Sequence, residues 1–330
     1  MNIPHRHRIG KRLPFLMTAG LGVLAVLAAI TSPAGIQGSG FRKLLVVGTV
    51  TEPAGGKGDT IVVSGTPYST DGAVFQVDGQ GASQAQIHAG DVVSMTANAP
   101  VDGGTPSVTQ VTFSGSVQGA VSGIDSASST LFVLGQTIHV NSSTSFGSNL
   151  RKSGLSGLQI GDVVEVSGFG DSTGAWIATS IDSKGHSSVA RVVGSVKSLD
   201  PTQRTFYLNS LKIDYDSAAM DTGLTEGVAV SVQGLKFAAD GSLVAKRVQS
   251  AAAVPAQADA LGRIQGLITR YPSSAYFEVN GQPVSVNAQT RLTLPVPTGL
   301  DVEVQVTGTF DSNGVLVADS VQTGKNYSSL

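Results

Sequence analysis

Gly170-Asp171-Ser172-Thr173-Gly174 fits the G-x-S-x-G string of serine hydrolases. That chemistry attacks an acyl carbon with a serine held on a strained strand-to-helix elbow, beside a histidine and an oxyanion hole. Here the string lies between two stretches of alternating apolar residues, and among the matching turns only Asp311-Ser312-Asn313-Gly314 keeps a serine in that place, without the leading glycine. It therefore reads as a hairpin turn, with a hydrolase using Ser172 as the enzymatic alternative.

Three histidines lie beyond the N-terminal segment. His139 sits between Ile138 and Val140 as their outward-facing neighbour, His88 precedes Gly90, and His186 falls in a linker. They belong to different parts of the chain and lack ligand-like spacing, so solvated or capping roles are expected and no metal or catalytic residue is assigned. Asp311-Ser-Asn-Gly314 and similar acidic turns offer two or three oxygens, fewer than a calcium loop gathers. Trp176, the one tryptophan, is out of phase with Ile177. It is the candidate ligand contact, as an exposed stacking surface for a sugar or base. No cofactor is expected.

The elements that carry these residues repeat. In Gly161-Asp-Val-Val-Glu-Val-Ser-Gly168, Val164 and Val166 share one face and Glu165 takes the other, the alternation of a half-buried strand. The same pattern recurs in Gly90 to Ala97, Gly227 to Gly234 and Asp301 to Gly308. A Gly/Asp/Asn turn follows each, then a return strand such as Ile177 to Ile181. Upstream, an apolar-x-Gly-x-apolar marker centres on Gly48, Gly119, Gly194 and Gly266, which are 71, 75 and 72 residues apart. Two markers at one period define four repeats.

The repeats span 41–113, 114–182, 190–250 and 262–323, the first the most divergent. Within it Ile61-Val-Val-Ser-Gly65 and Phe75-Gln-Val-Asp-Gly79 compete for one strand role. Leu150 to Leu158 offers a short helix. Asn141 to Thr144 and Asn287 to Thr290 read as turns bonded to their own backbone. Each repeat supplies about five short strands in about 65 residues, and closing so small a sheet removes its exposed edges. The expectation is an all-β chain of four tandem small β-barrel (OB-like) repeats, with a continuous sheet or propeller-like array as the alternative.

Composition agrees: 41 glycines and 13 prolines in 330 residues, with 13% charged. The absence of cysteine excludes disulfides, thiol nucleophiles and zinc-thiolate sites. Arg6, Arg8, Lys11 and Arg12 precede the apolar run Leu13 to Ile30, and Ser32-Pro33-Ala34 supplies small residues for a signal peptidase. Residues 1–34 read as a signal peptide cleaved after Ala34, or alternatively a membrane anchor. Removing them takes away four basic residues of 21 and none of the 23 acidic ones, so the net charge becomes 17 − 23 = −6. An acidic surface gives no electrostatic reason to bind nucleic acid or anionic lipid.

Gly119-x-Val121, Phe132-Val-Leu-Gly-Gln136, Val140-Asn-Ser-Ser-Thr144, Gly161 to Gly168 and Ile177-Ala-Thr-Ser-Ile181 together resemble the bacterial domain of unknown function numbered 5666. The resemblance covers about two thirds of the chain. It implies exported tandem small barrels in the cell envelope, and carries no catalytic residue. The expected protein is a non-catalytic, periplasmic or secreted repeat protein that binds an envelope protein, a glycan or another small ligand, or acts as a spacer. An OB-type oligonucleotide binder is the further alternative. Membrane contact is expected only through an uncleaved N-terminal segment.

Overall fold

The computed structural model describes residues 40–53, 59–150, 152–185, 187, 189–251, 257–293 and 299–323. The signal segment and His186 lie outside them. Among the described residues no helix is long and apolar enough to cross a membrane.

Four barrels follow the four repeats. Barrel one comprises β1 (Phe41–Glu52), β2 (Thr60–Val63), β3 (Thr66–Ser69), β4 (Val74–Val77), β5 (Gln80–Ala82), β6 (Val92–Pro100) and β7 (Ser107–Phe113). Barrel two comprises β8 (Val117–Asp125), β9 (Thr130–Val133), β10 (Gln136–His139), β11 (Ser145–Phe146), β12 (Val163–Gly170) and β13 (Trp176–Gly185). Barrel three comprises β14 (Ala190–Ser195), β15 (Lys197–Asp200), β16 (Thr205–Leu208), β17 (Leu211–Asp214), β18 (Ala219–Met220), β19 (Ala229–Phe237) and β20 (Leu243–Ser250). Barrel four comprises β21 (Leu261–Ser273), β22 (Tyr276–Val279), β23 (Gln282–Ser285), β24 (Arg291–Leu292), β25 (Glu303–Phe310) and β26 (Leu316–Thr323).

Barrel two shows the plan. β8 pairs β9, β9 pairs β10, β10 runs parallel to β13, β13 pairs β12, and β12 returns to β8. Barrels one and four close by the same circuit. In barrel three β14 and β15 together serve as the first strand. Barrel one also settles its internal competition. Ile61 to Gly65 supplies β2 and its turn, whereas Phe75 to Gly79 supplies an additional hairpin whose first strand lies parallel to β7. The Leu150 to Leu158 stretch holds one turn of 3-10 helix, Gly154–Gly157, rather than an α-helix. Two glycines and two serines within nine residues make it a poor helix former.

The repeated glycines have one physical cause. The β9–β10 turn places Leu134 and Gly135 at φ 50° and 69°, and the turn side chain folds over the opening strand. A Cβ at Gly119 would lie 2.5 Å from Leu134 Cγ, and Gly48 and Gly266 are covered likewise by Ser64 and Asn280.

A second regularity explains Trp176. In β13 the partners step from Ser167↔Ser180 to Gly168↔Ala178, so Thr179 is an extra, bulged residue. Corresponding shifts occur in the other three barrels, at Thr96/Ala97, Gln233/Gly234 and Thr307/Gly308. A bulge reverses which face the following residues occupy. Trp176 therefore points inward with Ala178, and is fully buried in the barrel core rather than exposed. Leu243 and Leu316 fill the same place in barrels three and four, also fully buried.

The barrels join in two pairs that do not follow chain order. Barrels two and three share a sheet through antiparallel β8–β14 contact at Val117↔Val192 and Gln118↔Arg191. Barrels one and four share another through parallel β1–β21 contact from Leu44↔Leu261 to Val47↔Ile264. Barrel one keeps its own core around Val46, Ile61, Tyr68 and Met95. Its outer residues Leu45, Val47 and Val92 belong to a second core that runs through the other three barrels.

Candidate functional site

Each sequence-selected residue has a definite place. Ser172 lies in the β12–β13 turn, where its N–H and Oγ both donate to the Asp301 carboxylate, at 2.6 and 2.7 Å. It sits in a hairpin turn and not on a strand-to-helix elbow. His139 Nδ1 is 3.3 Å from Thr130 Oγ1 on the neighbouring strand. The turn acids serve their own backbone: Asp311 Oδ1 accepts from the N–H groups of Asn313 and Val315, at 2.8 and 2.9 Å. Asn141 N–H donates to Thr144 Oγ1 at 3.1 Å, and Asn287 to Thr290 at 3.0 Å, so both stretches form self-bonded turns. Among the described residues no group of three or more His, Asp and Glu is placed to hold a metal ion. His88 alone of the selected residues reaches a site.

That site is the seam where barrel one meets barrel two and touches barrel three. On β13, Ser180 and Asp182 share a face by alternation, and Lys184, the extra residue of a bulge between Ser183 and Gly185, reaches Glu165 beside them. The loop before β6 brings His88 and Asp91 onto this face, and β12 contributes Glu165. The β4–β5 turn brings Asp78, and β14 brings Arg191.

Burial decides how these groups behave. Glu165, 3% exposed, lies 2.5 Å from Lys184 Nζ and 3.4 Å from the Arg191 guanidinium. Arg191, 2% exposed, is 2.6 Å from Asp78. Burial pushes the Glu165 carboxyl up, against the pull of Lys184 and Arg191. Lys184 is itself held up: its own burial works the other way, but Glu165, Asp78 and Asp182 outweigh it.

Asp91 is 1% exposed. It accepts from Ser180 Oγ at 2.9 Å across the seam and from its own loop's His88 N–H at 2.8 Å. Burial raises its carboxyl to about 7, with Asp182 and Glu165 adding repulsion and those two hydrogen bonds opposing. His88 Nδ1 stands 3.9 Å from Asp91 and 3.6 Å from Asp182.

Beside this network opens a cavity of about 550 Å³. It is lined by Ser145, Ser148, Ser180 and Ser183, by Phe146, and by Asp182, Lys184 and His88, with the Ser180 hydroxyl turned to Asp91. The size is in the range of small-molecule sites. The arrangement can hydrogen-bond a polar, hydroxylated molecule in several directions.

Sequence reasoning did not find Asp91, Glu165, Asp182, Lys184 or Arg191. Ser180-x-Asp182-x-Lys184 along one strand was the available signal, together with Arg191 between Ala190 and Val192.

A chain of closed five-stranded barrels, each on one 70-residue plan and without a common polar site, is a tandem-repeat all-β protein. Its sequence matches the family described as a domain of unknown function (DUF5666) three times, over residues 118–182, 193–249 and 265–322. The chain belongs to that family. No curated protein matches it. Among solved structures it is similar to one titled drosophila Unr CSD456, at 14% identity over 64% of this chain and 98% of that one, with a TM-score of 0.19. A likeness at that level carries no argument.

Proposed function

We propose that the chain is a non-catalytic, exported protein of the bacterial cell envelope that binds a saccharide in the crevice between barrels one and two. The observation that carries this reading is the crevice wall: serine hydroxyls, a carboxylate, an ammonium and one aromatic ring around about 550 Å³. A sugar presents both donors and acceptors and one apolar ring face, and such a wall answers each. Export is supported by the basic and apolar N-terminal residues. The non-catalytic reading is supported by Ser172, whose hydroxyl is committed to Asp301. A pure spacer is less favoured, because the barrels are joined through shared sheets and buried ion pairs rather than by bare tethers.

The test is thermal unfolding of residues 35–330 against a panel of mono- and oligosaccharides, peptidoglycan fragments, nucleotides and metals. A sugar at 100 times its dissociation constant stabilises its barrel by about 2.7 kcal/mol. A panel in which no sugar shifts any transition overturns the reading.

A further inference from the structure

We infer that the sugar recognised in the crevice carries a free amine, and that its ammonium is received by Asp182. The inference rests on the saccharide reading above and narrows its ligand class.

The charges of the seam do not balance. Two fixed cations, Lys184 and Arg191, are matched by two carboxylates: Lys184 stands against Glu165 at 2.5 Å, and Arg191 against Asp78 at 2.6 Å. Asp182 and Asp91 remain. Asp91 lies behind the wall, turned to Ser180. Asp182 is in the wall itself with 23% of its side chain exposed, and the side chain facing it is the His88 imidazole at 3.6 Å. That imidazole is 59% exposed, leaving it free to swing towards solvent. Lys184 is shared between Glu165, which it touches, and the fields of Asp78 and Asp182, so Asp182 has only that mobile imidazole in direct contact, and a cationic ligand supplies a closer counter-ion.

Gly147 adds an independent observation. A Cβ there would overlap Asp182 Oδ1, so the carboxylate lies directly on the Gly147 backbone. Gly147 is not among the glycines with positive φ, so no turn calls for it. Its lack of a side chain seats the carboxylate in the wall, next to the hydroxyls that would hold the sugar ring.

The experiment is calorimetric titration of residues 35–330 at pH 7.5 with hexoses of the gluco, galacto and manno series. Each is supplied in three forms: 6-amino-6-deoxy, the same amine N-acetylated, and the parent sugar. The expected result is at least tenfold tighter binding of the amine than of either neutral form in one series, with the preference lost in Asp182→Asn. Equal affinity for the three forms overturns the amine inference and leaves the saccharide reading standing. No binding in any series overturns both. An amine preference that survives in a folded Asp182→Asn variant overturns the assignment to Asp182. The comparison of ligands on the unaltered protein decides the matter even if that variant does not fold.

Discussion

Asp301 grips Ser172 with both carboxylate oxygens, one on the N–H and one on Oγ, and so ties barrel four to the hairpin turn of barrel two. Asp301 holds φ 62° at the position where the other three repeats place Gly90, Gly161 and Gly227, all with positive φ. Aspartate tolerates that conformation better than most residues. A double-mutant cycle between Ser172→Ala and Asp301→Ala, read by denaturant unfolding, is expected to give a coupling of about 0.5–1.5 kcal/mol. Independent effects of the two changes would show that the clasp contributes nothing.

Removing Arg191 strands two carboxylates. Arg191→Ala is expected to lose about 3–5 kcal/mol, because Glu165 stays buried with one cation fewer. Adding Glu165→Gln should recover part of that loss. A single Arg191→Ala variant as stable as the parent would mean that water enters and solvates the seam.

Asp91 sets a pH dependence whose sign follows from burial. Its folded carboxyl is raised to about 7 from an ordinary 3.8. Between those values the native state holds a proton that the unfolded chain has released. Stability from this group is therefore fully present below about pH 4, falls as pH rises, and levels off above about pH 7, a change on the order of 4 kcal/mol. Asp91→Asn should flatten this part of the curve. The amide resembles the protonated acid present below pH 7, so the variant should gain stability relative to the parent between pH 5 and pH 8. Parallel curves for the two proteins would show that Asp91 titrates normally.

Gly119→Ala is expected to destabilise barrel two by about 1–3 kcal/mol, since the new methyl meets Leu134. Leu134→Gly removes the overlapping side chain at the cost of a buried leucine, so Gly119→Ala should cost less in that background than in the parent. An equal cost in both backgrounds would locate the strain elsewhere.

Trp176 gives a direct optical check. Buried in the barrel-two core, it should fluoresce at short wavelength and resist aqueous quenchers, and Trp176→Ala should lose about 3–5 kcal/mol. Red-shifted, readily quenched emission would contradict its burial.

The barrels were legible because their signals are local. Val164 and Val166 alternate along one strand, Asp311 to Gly314 forms one turn, and Gly119 lies a fixed distance from its neighbours. Trp176 was misread because phase was counted through Thr179 as though the strand were regular. The matching apolar residues Leu243 and Leu316 held the clue. The crevice was not legible because its parts come from separate repeats. Nothing near Asp91 in sequence announces Ser180, 89 residues away. Glu165 faced outward as its alternation requires, but the outside of its barrel is covered by Arg191 and Lys184.

The parallel pairing of β1 with β21 has a consequence for biosynthesis. Arg42 at the start of β1 donates to the Asp259 carbonyl, 217 residues later. At translation rates of about 5–20 residues per second, that separation is roughly 10–40 s. Through that interval the first barrel would stand complete but with the outer edge of Leu44 to Val47 bare, a template for pairing with any other chain. The last repeat to be made is thus the one that shields the first.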